Sequence, residues 1–147
     1  MSSKASASRL ARLRPIEWAA LAEGLVTLAL ASAAIRVLSF RRVAAWASRG
    51  PQPASGFDPE AVRRVRWAVL IWARRVPWRV VCFQRGLALH LMLRRRGIAS
   101  VMRYGVAHLP QKGLNAHVWV DVGGETVIGG EESPNFACVA TFPPGAA

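Results

Sequence analysis

CFQRGLALHLMLRRRG, residues 82–97, reads as a single helix with a cysteine in its first turn. Phe83, Leu87 and Leu91 follow one another at a spacing of four, and Leu89 and Leu93 form a second row beside them. Apolar residues on both rows predict a helix enclosed on most sides. Gly97, behind three arginines, is a natural stop: glycine accepts the left-handed cap conformation, and cations suit the negative end of the macrodipole. The thiol at the other end has a chemical consequence. First-turn N–H groups lack intrahelical partners and carry partial positive charge. Arg79 and Arg85 flank Cys82, and no Asp or Glu occurs from 61 to 120. Each of these favours thiolate over thiol, the condition a nucleophilic cysteine needs. A lone cysteine is more often a small buried core residue, so Cys82 acquires a role only with a base.

Beyond Gly97 the apolar period changes to two. Residues 98–107 read as a strand, 108–114 as a loop, and AHVWVDV (116–122) as a second strand. Gly123-Gly124 is a hairpin turn and 125–128 a third strand. The tail from 133, with Phe136, Phe142 and several prolines, is expected to lie across the surface. His117 is the obvious base. It shares a strand face with Trp119 and Asp121, and that face is expected to pack against the Cys82 helix, bringing thiolate and imidazole within reach. His90, inside the helix among leucines, reads as structural, and His108 as a loop residue.

On the N-terminal side, residues 1–14 are small, polar and basic and are expected to be a disordered start. Pro15 opens a helix to about Ser39, with Leu21, Leu25, Leu28, Ser32 and Ile35 on its inner face. Its uncharged stretch, 24–35, is twelve residues long, short of the ~20 that span a bilayer, so a core or interfacial helix is expected. Residues 41–48 continue helical, and RGPQPASGF (49–57) is a linker by composition. Asp58-Pro59-Glu60 is a strong helix start. Val62, Val65, Val69, Trp72 and Val76 then give an inner face that Pro77 ends. The chain thus divides into 1–14, a helical segment and linker at 15–57, and a core at 58–147.

A length of 147 residues fits one domain or a catalytic unit with a helical appendage. The net charge of +12, from 20 basic against 8 acidic residues, would attract nucleic acid, anionic lipid or an acidic partner. Arginine rows interleaved with Trp67, Trp72 and Trp78 could clasp a nucleic acid. The Cys82–His117 pairing has no use in such a module, so nucleic acid is not expected as a partner. Attachment to a membrane surface through the basic N-terminal helices is compatible with an enzyme. Two cysteines make no disulfide framework and no convincing export signal opens the chain, so a cytoplasmic setting is expected. No Cys/His spacing suits a metal, and neither a metal nor another cofactor is expected.

A cysteine opening a buried helix, then a strand, a histidine-bearing strand and a hairpin partner is the α+β layout of papain-like and transglutaminase-like enzymes. More narrowly, CFQRGLALHLMLRRRGIASVMRYGV followed by LNAHVWVDVGGETVIGG resembles the lasso-peptide maturation proteases, stand-alone leader peptidases of the transglutaminase-like superfamily. The matching positions are Cys82, Arg85, Leu87 to Leu93, Arg94 to Ile98, and Ala116 to Val120. The resemblance covers about residues 60–130 well and the N-terminal helices loosely. It implies a cysteine peptidase that removes the leader from a ribosomally made precursor, with Cys82 attacking and His117 moving the proton. It also implies a separate leader-recognition protein and an asparagine-synthetase-like cyclase as partners. A transglutaminase-like acyltransferase is the alternative within the same chemistry. The family often places an aspartate twelve residues after the histidine, where this chain has Gly129. An unbroken hairpin register sets Gly130 opposite His117, and Asp121 is ~13 Å along the strand at ~3.3 Å per residue. Glu131 curling back, or a dyad oriented by a backbone carbonyl, an amide or water, remains open for the third member.

Overall fold

The computed structural model describes residues 12–50 and 57–146. Most of the start at 1–14 and the centre of the linker at 49–57 lie outside the described residues. Helix α1 (Pro15–Val37) opens with Pro15 at its first position, and the Glu17 carboxylate accepts the Arg14 N–H at 2.7 Å. Helix α2 (Phe40–Ser48) follows after a short break. Helix α3 (Pro59–Ala73) is capped by Asp58, whose carboxylate accepts from Glu60 N at 3.0 Å and Ala61 N at 3.2 Å. This helix ends before Val76, the last residue of the face expected for it. The Pro77 ring would meet the carbonyl of Ala73, and proline disfavours the helical conformation at Val76.

Helix α4 (Cys82–Arg95) is the predicted central helix, and Leu87, Leu89 and Leu93 are fully buried in it. Its end is a Schellman turn: Ile98 N bonds to Leu93 O, Gly97 N bonds to Arg94 O, and Gly97 adopts φ +72°. His90 is fully buried. Its Nε2 lies 2.9 Å from Ala47 O and its Nδ1 2.8 Å from Ser100 Oγ. A carbonyl only accepts, so Nε2 carries the hydrogen and Nδ1 accepts from the serine hydroxyl. Burial, ahead of the neighbouring Arg94 charge, lowers its pKa to about 4 against the bond to Ala47. The ring is a neutral structural link from α2 to the start of the sheet.

The sheet is antiparallel, with strand order β3-β2-β1-β4. β1 (Val101–Leu109) begins later and runs further than expected, pairing His108 with Leu114 and Leu109 with Gly113 of β2 (Gly113–Val122). The expected loop shrinks to a tight turn that Gly113 closes at φ +68°. β3 (Glu125–Ile128) is as expected. The tail is not a surface strap: Ala137–Phe142 forms β4 along the outer side of β1, and Phe142 enters the core. Its β-forming residues (Val139, Thr141, Phe142) cover an edge that would otherwise expose unpaired backbone.

The core lies between the sheet and α4, where Val118, Val120 and Val122 pack with the α4 leucines. Gly86 makes the approach possible, since a Cβ there would stand 2.5 Å from Val118 Cγ1. Leu28, Ala31 and Ala34 of α1 and Val43 and Ala47 of α2 belong to the same core as Val62, Val65 and Val69 of α3. The helices before residue 49 therefore wrap α4 rather than trail from it. Trp72 and Trp78 fasten the wrap through indole N–H bonds to Leu21 O at 2.7 Å and Ser32 Oγ at 3.0 Å.

Candidate active site

Cys82 is the first residue of α4 and is half-buried. The chain entering it is pinned, because the Gln84 side-chain oxygen accepts the Val81 N–H at 2.6 Å. Cys82 and Cys138 are both free thiols.

His117 stands in the middle of β2, buried between Trp119 (ring centroids 6.1 Å apart, near-parallel) and Phe136 (5.1 Å). The face of β2 that packs on α4 is not the one expected: Val118, Val120 and Val122 lie in the core with the α4 leucines, whereas the Trp119 ring lies against Gly105. That face is the uniformly apolar one, and Gly86, lacking a side chain, leaves room for Val118.

His117 Nε2 lies 2.8 Å from Gly129 O. In the neutral ring Nε2 must carry the hydrogen, which leaves Nδ1 with its lone pair. Glu132 Oε2 is 3.9 Å from Nδ1, on a side chain that is 70% exposed. Glu131 lines the same cavity, but the bond to the ring comes from the Gly129 carbonyl and the nearby carboxylate is Glu132. A bulge at Val120/Asp121 sets Ile128 opposite Val120, breaking the register that had placed Gly130 across from His117. Asp121 is fully engaged, held by Arg103 at 2.6 Å and by the Thr126 hydroxyl at 2.6 Å. The bond to Asp121 is the main cause that raises the Arg103 pKa.

Cys82 and His117 both line two cavities. One is apolar, ≈ 350 Å³, walled by Phe40, Val43, Phe83, Tyr104 and Ala116. Rings of Phe40, Phe83 and Tyr104 stand 5.5–6.1 Å apart there. The other is polar, ≈ 190 Å³, with Arg66, Arg74 and Arg85 facing Gly129, Glu131 and Glu132. Arg85 Nε is buried there without a hydrogen-bond partner. Thiol and imidazole border the same two cavities and form no direct hydrogen bond with each other. Among the described residues no group of three His, Cys, Asp or Glu could hold a metal ion.

A helix that opens with a cysteine and packs on an antiparallel sheet with a buried histidine defines a class of cysteine-dependent hydrolases and acyltransferases. The family model of the Transglutaminase-like superfamily matches residues 23–141, and the chain belongs to that superfamily. The matched span begins inside α1 and ends in β4, so it takes in the N-terminal helices and the fourth strand alike. Members are commonly cysteine peptidases or acyltransferases. No curated protein and no solved structure is significantly similar to the chain.

Proposed function

We propose that the chain is a cysteine peptidase that removes the leader from a lasso-peptide precursor. The observation that carries the cysteine chemistry is that Cys82, at a helix N-terminus, shares both cavities with a His117 whose tautomer the Gly129 carbonyl selects. The leader-peptidase subtype rests on the likeness of the two sequence blocks around those residues.

Cys82 Sγ attacks the scissile carbonyl as its proton passes to His117 Nδ1. The imidazolium keeps its Nε2–H bond to Gly129. Backbone N–H groups at the start of α4 hold the oxyanion. The tetrahedral carbon then expels the core peptide's amine, which takes the proton from Nδ1, and water hydrolyses the leader thioester. The apolar cavity is available to a side chain near the scissile bond. A free thiol of this kind suits the reducing cytoplasm. The freed core would pass to an asparagine-synthetase-like cyclase, after a separate leader-recognition protein had presented the precursor.

The test is mass spectrometry of a cognate precursor incubated with the chain, with and without the recognition protein. Release of intact leader and core that Cys82→Ala abolishes at equal folded fraction supports the peptidase. Cleavage that survives Cys82→Ala would falsify it. Transfer of the leader to an added amine, with little hydrolysis, would favour the acyltransferase.

A further inference from the structure

Helix α1 turns one face into the core and another to solvent, and both are apolar. Ala19, Ala22, Val26, Leu30, Ala33 and Val37 recur at spacings of three and four and form a single exposed stripe. Val26, Leu30 and Val37 are 57%, 54% and 81% exposed, far from the buried state such side chains favour. The stripe carries no charge along a helix of 23 residues, about 34 Å at ~1.5 Å per residue. Surfaces of this extent mark an interaction site.

The ends of the stripe indicate the partner. Half-exposed Trp18 flanks its start and half-exposed Phe40 follows its end. Arg36, Arg41 and Arg42 are exposed at the Phe40 end and form no ion pair among the described residues. Arg12 is exposed at the other end, where Arg14, also exposed, pairs with Glu60 at 3.1 Å and with Glu17 at 3.9 Å. Both acids of the helix are already engaged, Glu17 by Arg14 and Glu23 by Arg95 and Arg96. An apolar centre bracketed by aromatic rings and cations matches the layers of a lipid surface, where acyl chains lie beneath anionic headgroups. The excess of 20 basic over 8 acidic residues adds attraction of the same sign.

We infer that the outer face of α1 seats on an anionic bilayer surface, with Val26 and Leu30 entering the acyl boundary and the arginines meeting phosphate headgroups. The helix is apolar enough to span, with a mean hydropathy of 1.7 over its most apolar window. Its opposite face holds Leu21, Gly24, Leu28, Ala31 and Ala34 in the protein core, so it lies on the membrane rather than crossing it. Phe40 joins this face to the site, since its ring also walls the apolar cavity beside Cys82.

The experiment is flotation of the full chain with vesicles of phosphatidylglycerol mixed with phosphatidylcholine, and with phosphatidylcholine alone, at low and high salt. The inference expects binding to the anionic vesicles, at least ten-fold weaker binding to neutral ones, and weakening by salt. Val26→Glu with Leu30→Glu should lower anionic-vesicle binding at least ten-fold, with the thermal unfolding midpoint unchanged because both side chains are exposed. Arg41→Gln with Arg42→Gln should lower it several-fold. Absence of binding to anionic vesicles, or binding that Val26→Glu/Leu30→Glu leaves intact, overturns the inference. So does self-association by light scattering that the same pair abolishes while vesicles bind nothing, which would assign the face to a second copy of the chain.

Discussion

The imidazole of His117 donates its Nε2 hydrogen to the carbonyl oxygen of Gly129, 2.8 Å away, so a main-chain atom holds the orientation that an aspartate holds in the proteases this chain resembles. The carbonyl orients the ring without adding a negative charge to it. The arrangement requires glycine: residue 129 has φ +77°, and a Cβ would stand 2.5 Å from Val118 O.

The first prediction follows from that clash. Gly129→Asp should not restore a triad, although the position is right in sequence. It should displace the end of β3, pull the carbonyl from the ring and lower kcat at least ten-fold, with a lowered unfolding midpoint. A Gly129→Asp chain more active than the parent at equal folded fraction would show that the carbonyl is only a substitute for a missing carboxylate.

The carboxylates near the ring separate by distance. Glu132, 3.9 Å from Nδ1 but largely exposed, should matter modestly: Glu132→Gln is expected to lower kcat a few-fold with little change in KM. Glu131→Gln should have a smaller effect. Asp121→Asn should act on stability, through the lost bonds to Arg103 and Thr126, rather than on the pH profile of cleavage. A larger kcat loss for Glu131→Gln than for Glu132→Gln would reverse the assignment.

His90 gives a pH dependence of known sign. Its folded pKa of about 4 lies below the ordinary 6.5, so the unfolded chain binds the proton first. The stability it contributes is full above pH ~6.5 and is lost as pH falls toward ~4, by a total on the order of 3 kcal/mol. Denaturant unfolding of wild type and His90→Gln at several pH values isolates this contribution from the other acids. The wild-type advantage should shrink through that window, and parallel curves would show that His90 is not buried neutral.

Gly86 controls how closely the Cys82 helix approaches the sheet. With a Cβ 2.5 Å from Val118 Cγ1, Gly86→Ala must push α4 outward or rotate a stiff valine. Overpacking of this kind costs ~1–3 kcal/mol, against a helix-propensity gain of ~1 kcal/mol. The expected result is a small loss of stability with a larger loss of activity, because Cys82 is one turn away. Adding Val118→Ala should recover part of both. A fully active Gly86→Ala enzyme would show that the spacing between helix and strand tolerates change.

The parts legible in the sequence were those set by short-range patterns. The Asp58 cap, the Leu87–Leu93 rows, the Gly97 stop and the Gly123-Gly124 hairpin each follow from a few adjacent residues, and each stands as read. What was not legible depended on contacts far apart in sequence. The tail became a strand because β1 offered an edge, a fact about residues 101–109 rather than about 137–142. The close approach of β2 to α4 depends on Gly86, thirty-two positions before the Val118 it makes room for. The bulge at Val120/Asp121, which brings Gly129 to His117, leaves no mark in composition, so the carbonyl stayed one of several candidates.

The apolar cavity beside Cys82 yields the last prediction, about substrate choice. Its walls are aromatic and aliphatic, its volume is ≈ 350 Å³, and Cys82 and His117 stand on its border. A large apolar side chain close to the scissile bond would leave water there. Such burial is worth ~1.5–3 kcal/mol, or roughly 10- to 200-fold in kcat/KM. Replacing that residue of the precursor by Asp should cost about this much. Ala116 offers the converse, since it is exposed, lines the cavity and sits on a strand that accepts aromatic residues. Ala116→Trp should fill the space, raising KM at least ten-fold for a precursor with a large apolar residue and much less for one with alanine there. If the loss is equal for both precursors, the substitution has disturbed the neighbouring His117 instead, and the cavity does not select the substrate.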